Sequence, residues 1–106
     1  MSKTFTFVES INTTLEAFKS NIKTINAVYD ALISNPKTDE KTLNAFTTEG
    51  IDKLNQVISF TKNVIVLPML SDKTRDEIKP NALNVNKMAH DTILRLLDSS
   101  NQVQSS

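Results

Sequence analysis

Cysteine is absent from this chain of 106 residues. No disulfide can brace the fold, and thiolate chemistry is excluded, whether nucleophilic or metal-binding. The absence suits a reducing compartment. Glycine occurs once and proline three times. Sandwiches, barrels and phosphate-cradling loops need far more glycine, because their tight turns call for residues without a Cβ. Tryptophan is missing, and five Phe and one Tyr are the only aromatics, so any core is mostly aliphatic. Neither sign of charge prevails: 12 basic residues face 12 acidic ones. A balanced chain has no whole-molecule field with which to hold nucleic acid or an anionic membrane. The longest apolar run, "VIVLPML", is interrupted by proline and falls far short of the roughly 20 residues of a spanning helix. The start, "MSKTFTFVES", has no apolar stretch of the secretory kind. The sequon Asn12-Thr13-Thr14 is therefore read as fortuitous, and a cytoplasmic location is expected.

What the chain does have is apolar periodicity. Leu, Ile, Val and Phe make up 31 residues, above the floor of roughly 20% below which chains stay disordered. Val8, Ile11, Leu15, Phe18, Ile22, Ile25, Tyr29 and Leu32 follow steps of three and four, the spacing of one helix face. This predicts a first helix from Thr6 to Leu32 or Ile33, with Thr6 as N-cap and Glu9 completing a capping box. Pro36 disfavours helical geometry at Asn35 and ends it. A second helix is predicted from Thr38 or Asp39 to Val66. Its Leu43, Phe46, Leu54, Val57, Ile58, Thr61, Val64 and Ile65 fall within one arc at about 100° per residue. The phase agrees on both sides of Gly50, so one helix is read through it, with Gly50 admitting a close neighbour. The rival reading ends a first half at Gly50, with Ile51 as the apolar contact that follows.

Pro68 closes the second helix. A short helix capped by Ser71 or Asp72 is predicted up to Lys79, Pro80 then closes it or starts the next, and a last helix spans Asn81 to Leu97. The expected fold class is all-α: an antiparallel helical hairpin plus a shorter third helix, a three- to four-helix bundle with coiled-coil-like packing. Residues 1–98 are expected to form the single domain, and the polar 99–106 a flexible tail.

On this reading the two long helices measure about 40 Å and the third about 25 Å, at 1.5 Å per residue. Cover for the apolar stripes is then incomplete. In the last helix Ala82, Val85, Ala89, Ile93 and Leu96 form one stripe, and Leu83, His90, Leu94 and Leu97 lie a quarter turn away. Phe60, Val66 and Leu67 sit off the main stripe of the second helix. The candidate partner-binding residues are accordingly Leu83, His90, Leu94, Leu97, Phe60 and Leu67, set against the alternative that they wrap the ends of a small core. On the other flank of the first helix, Ser10, Thr13, Ala17, Ser20, Thr24, Ala27 and Ala31 would let another helix come close.

Groups for chemistry are scarce. His90 is the only histidine, with Asn86 and Leu94 one helical turn away on either side and no second His or Cys to share a metal. The acidic groups Asp39–Glu40, Glu49–Asp52 and Asp72–Asp76–Glu77 fit helix starts and solvated faces with interleaved Lys and Arg. No Glu-x-x-His pair occurs, and Gly50 lacks the surroundings of a calcium loop. Lysines are scattered without interleaved aromatics; Lys19 and Lys23 make one small patch, with Glu16 placed to pair with Lys19. No catalytic, cofactor-binding or metal residues are therefore expected, no cofactor, and no nucleic-acid, membrane or small-molecule partner. The expectation is a non-enzymatic protein–protein interaction module whose partner is another protein or a second copy in a homo-oligomer. The alternative is a small cytoplasmic inhibitor or immunity-type protein that blocks a larger target. The abundance of Asn, Lys, Ile and Thr matches AT-rich coding, as in phage or mobile elements.

Overall fold

The computed structural model describes the backbone of residues 3–105 and the side chains of residues 7–98. Three helices pack against one another: α1 (Lys3–Ser34), α2 (Glu40–Val64) and α3 (Asp72–Ser105). No strand occurs among the described residues. Direction follows from which residues meet. Phe18 of α1 meets Phe60 of α2 edge to face, whereas Ile25 reaches Gly50, so α1 and α2 run antiparallel. Asn26 meets Thr92 and Asp30 meets Arg95, so α3 runs parallel to α1. The result is an up-down-up bundle, a rod of 55 × 22 × 17 Å.

Each helix begins and ends for a local reason. Asp39 caps α2: its extended backbone turns the chain, and its carboxylate accepts the Thr42 amide at 2.7 Å. Ser71 caps α3, with its hydroxyl accepting from the Thr74 amide at 3.2 Å. Between α1 and α2 the Asn35 side chain accepts the Lys37 amide at 2.9 Å, which tightens the Pro36 turn. At the other end α2 unwinds after Val64 through bonds from Val66 to Asn63 and from Leu67 to Val64, two residues before the expected Val66. Pro68 then keeps Leu67 out of helical geometry. The Arg75 guanidinium holds the following loop by donating to the carbonyls of Leu67 and Leu70, at 2.9 and 3.3 Å. α1 starts at Lys3, so Thr6 lies inside the helix and is not its cap. Its side chain is outside the described residues. Exposed first-turn amides can be satisfied by water and need no such cap.

Hydrogen bonds from Thr42, its hydroxyl first and then its amide, hold the Asp39 carboxyl below the ordinary aspartate range. A carboxyl so depressed stabilises the fold above its unfolded pKa, and that contribution is lost as pH falls through the folded value. Asp39→Asn should therefore flatten the acid side of a plot of melting temperature against pH while leaving the neutral plateau nearly level, since Asn also caps well. An unchanged acid limb would remove Asp39 from acid unfolding.

The largest departure from expectation is in the last third of the chain. The short helix up to Lys79 and the helix from Asn81 are one element, with Pro80 inside it. Pro80 removes one hydrogen bond and crowds the carbonyl four residues back, at a cost of about 3 kcal/mol. Packing outweighs this. Ile78, Ala82, Val85, Ala89, Thr92 and Leu96 are all buried and follow steps of four and three across the proline. Both halves thus bury the same face, and a break would expose one of them. α3 is consequently the longest of the three helices, and the expectation of a short third helix is corrected. Its backbone stays helical through the polar segment to Ser105; the side chains of that expected tail lie outside the described residues.

The core runs the length of the rod, with Leu15, Ile22, Leu54, Ile78, Val85 and Leu96 fully enclosed. Gly50 is buried within a continuous α2. A Cβ there would lie 3.2 Å from Leu96 Cδ1 and 3.8 Å from Ile25 Cγ2, so its bare backbone is where α1 and α3 close on α2. Three buried threonines all have partners. Thr47 and Thr61 donate to the carbonyls of Asn44 and Ile58, and Thr92 accepts from Asn26. Thr92, not Ile93, completes the buried stripe of α3; Ile93 is half-buried beside it.

Candidate functional site

Two surface features stand apart from the core. The first is on α3. Leu83, Leu94 and Leu97 are 49%, 65% and 44% exposed, and His90 is exposed among them. Leu83, His90 and Leu97 are spaced by seven and Leu94 lies between the last two, so at about 100° per residue they share one flank of the helix. Leu83 borders a shallow hollow of about 150 Å³ beside Lys62 of α2 and Ile65 just after it, which places this flank on the α2 side. Lys87 and Asp91 form an ion pair of 3.5 Å along the same helix.

Phe60 and Leu67 do not join this strip. Phe60 is half-buried and meets the Phe18 ring edge to face, centroids 5.2 Å apart. Leu67 is half-buried in the loop that Arg75 grips. Two other large apolar residues of that loop, Val66 and Met69, stand out at the tip of the rod. The small residues Ser10, Thr13, Ala17, Ser20, Thr24, Ala27 and Ala31 are all exposed on α1, and Thr24 faces the cleft toward α2.

The second feature is a cleft of about 460 Å³ between α1 and α2. Its floor is Ile22, Leu54 and Val57, its walls include Phe18 and Ile25, and Asn21, Lys53 and Gln56 line its mouth. The sequence carries a sign of it. Phe46, Lys53 and Phe60 are spaced by seven along α2 and so share the edge facing α1, where a lysine stands between two phenylalanines. Its ammonium stays in water while its stem follows apolar surface, so the seam is left open at that level. At one end of the cleft the Phe18–Phe60 pair closes the seam.

A polar network ties α1 to α3. The Asn26 amide donates to Thr92 at 2.9 Å and to the Ile22 carbonyl at 3.0 Å. Its oxygen accepts from Arg95 at 2.9 Å. Arg95 also pairs with Asp30 and lies 4.8 Å from the centre of the buried Tyr29 ring. Asn26, Thr92, Arg95 and Asp30 are thus linked one to the next, which fixes the register of two parallel helices. The sequence hint was Asn26 and Thr92, polar residues at the edges of apolar stripes. Glu16, paired with Lys19 at 2.8 Å, is held below the ordinary glutamate range mainly by that hydrogen bond; the pair is a solvated surface contact of adjacent turns.

Among the described residues no group of three or more His, Asp or Glu side chains is arranged to hold a metal ion. Nor, among the described residues, is any helix long and apolar enough to cross a membrane. No family model matches the sequence, and comparison with curated proteins and with solved structures likewise gives no match.

Proposed function

We propose that this chain is a non-enzymatic interaction module whose α3 strip docks an amphipathic helix, and that the helix is α3 of a second copy. The observation that carries the reading is the exposure of Leu83, Leu94 and Leu97 on one flank of a long, straight-phased helix. α3 is long enough to lie along both other helices, so incomplete cover by a short third helix is not what calls for a partner. The strip remains.

The spacing supports a symmetric pairing. Leu83 and Leu97 lie seven residues on either side of His90. Two copies crossing antiparallel about a two-fold axis at His90 would set Leu83 of each against Leu97 of its partner. Such an arrangement uses one patch twice, as isologous dimers do, and its seven-residue repeat suits a shallow helix crossing. Near-zero net charge presents no long-range repulsion between copies.

Sedimentation over a wide concentration range is the test. The parent protein is expected to approach twice its chain mass, with Leu83→Glu plus Leu94→Glu remaining monomeric and equally helical. Both positions are open to water, so the fold should tolerate the charges. A parent that stays monomeric at every concentration would overturn the self-association, and loss of helix in the double variant would return these leucines to the core.

A further inference from the structure

The cleft between α1 and α2 has no part in that pairing, and its chemistry points elsewhere. Its volume of about 460 Å³ lies within the roughly 300–1,000 Å³ of small-molecule sites. The composition of its wall is also that of such a site: apolar Phe18, Ile22, Ile25, Leu54 and Val57 line it, and the exposed polar residues Asn21, Thr24, Lys53 and Gln56 rim it. Ile22 and Leu54 at the floor are fully buried. Lys53 is the only charged residue lining the cleft, and the side-chain amides of Asn21 and Gln56 stand with it. The Lys53 ammonium is held only loosely, 3.9 Å from an exposed Glu49 carboxylate one turn back.

We propose that this cleft binds a slender amphipathic carboxylate, with its apolar chain along Ile22, Leu54 and Val57 and its carboxylate at Lys53. The register of α2 is the second ground for the assignment. Phe46 and Phe60 occupy the same seam position one heptad before and after Lys53, so a third aromatic would close the gap and extend the core. A lysine there leaves apolar surface uncovered and puts a cation at its edge. This is the pairing that an acyl or aryl carboxylate complements, apolar body to floor and anion to ammonium. The Asn21 amide can donate to the same carboxylate, and the Gln56 amide, which donates one N–H to Asp52 at 3.4 Å, has a second N–H to offer.

Dodecanoate, kept below its micellar concentration, is the probe, with dodecanol as its uncharged counterpart. Amide chemical shifts of the full chain are followed during titration. The expected result is saturable one-to-one binding, with shifts concentrated at residues 21–25 of α1 and 53–57 of α2. Lys53→Gln keeps the cleft open and should weaken dodecanoate about fivefold, the upper end for a solvent-facing ion pair, without changing dodecanol. Lys53→Phe should abolish binding of both and melt about 5 °C higher, because the seam is filled. Leu83→Glu plus Leu94→Glu should leave binding intact, which separates this site from the strip on α3. Absence of saturation, or shifts centred on residues 83–97, would overturn the site. Equal response of dodecanoate and dodecanol to Lys53→Gln would overturn the carboxylate. A Lys53→Phe protein that melts below the parent would overturn the vacant seam.

Discussion

Ile78→Ala is expected to lower the unfolding free energy by about 3 kcal/mol, within the roughly 2–5 kcal/mol found for truncating fully buried Leu and Ile side chains. Ile78 has no exposed surface. It sits in the first two turns of α3, two residues before Pro80, where an isolated helix would fray. The full cost is expected only if this turn is folded as one unit with the rest of α3. The paired measurement is Pro80→Ala. Pro80 is exposed, so its ring contributes no core packing, and alanine restores the amide that proline lacks. Part of the usual cost of about 3 kcal/mol is already absorbed by the shape of the native helix, so a gain of about 1–2 kcal/mol is expected. Urea unfolding reads both. A cost below about 1 kcal/mol for Ile78→Ala would mean that the segment before Pro80 opens independently. α3 would then behave in solution as the two helices that its proline first implied.

That proline shows where the sequence was legible and where it was misread. At Gly50 and at Pro80 the same question arose, whether a helix breaker ends a helix. At Gly50 the apolar phase was carried across the breaker and the helix is continuous. At Pro80 local propensity predicts a break, yet Ile78 and Ala82 stand four apart and continue the stripe of Val85 and Ala89, and the helix is continuous. Buried phase outweighed local propensity in both places, because a break would strand apolar surface on one side of it. The three-four spacing of α1, the antiparallel hairpin and the helix starts, narrowed to Thr38 or Asp39 and to Ser71 or Asp72, are legible because each rests on residues close in sequence. Lateral relations were harder. Nothing local says that Phe60 meets Phe18, that Asn26 meets Thr92 across 66 positions, or that Arg75 reaches back to hold a loop.

Of the candidate surface, the α3 strip was legible because helical spacing alone puts Leu83, His90, Leu94 and Leu97 on one flank. The Phe60 and Leu67 positions were grouped with it only as apolar residues off a stripe, and their neighbours decide otherwise. The cleft was present in the sequence as Phe46, Lys53 and Phe60, a heptad position with one polar occupant. Scanning for apolar residues that repeat overlooks it, because the informative residue is the one that fails to repeat. The two features also differ in kind. The strip is surplus apolar surface on a well-packed helix, suited to another helix. The cleft is missing packing between two helices, suited to something narrower than a helix.

Gly50→Leu is expected to destabilise the protein by about 3 kcal/mol, the upper part of the range for overpacking a tight core. If the residue mattered only through backbone propensity, the sign would be opposite. Leucine favours a helix interior over glycine by about 0.8 kcal/mol, and the change would stabilise. The structure puts packing first. A Cβ alone at this position would lie 3.2 Å from Leu96 Cδ1, closer than ordinary contact, and Leu96 is itself fully enclosed. Alanine needs a shift of only a few tenths of an ångström at the end of one flexible side chain. Its propensity gain offsets that, so Gly50→Ala should remain within about 1 kcal/mol of the parent. The three further carbons of leucine have no such outlet, since α1 closes the other side through Ile25. They must part α2 from α1 and α3 along the middle of the rod. Thermal or urea unfolding of the two variants side by side decides the matter. A Gly50→Leu protein more stable than the parent would show that the helices do not meet closely at Gly50, and with that the up-down-up packing of all three would lose its central contact.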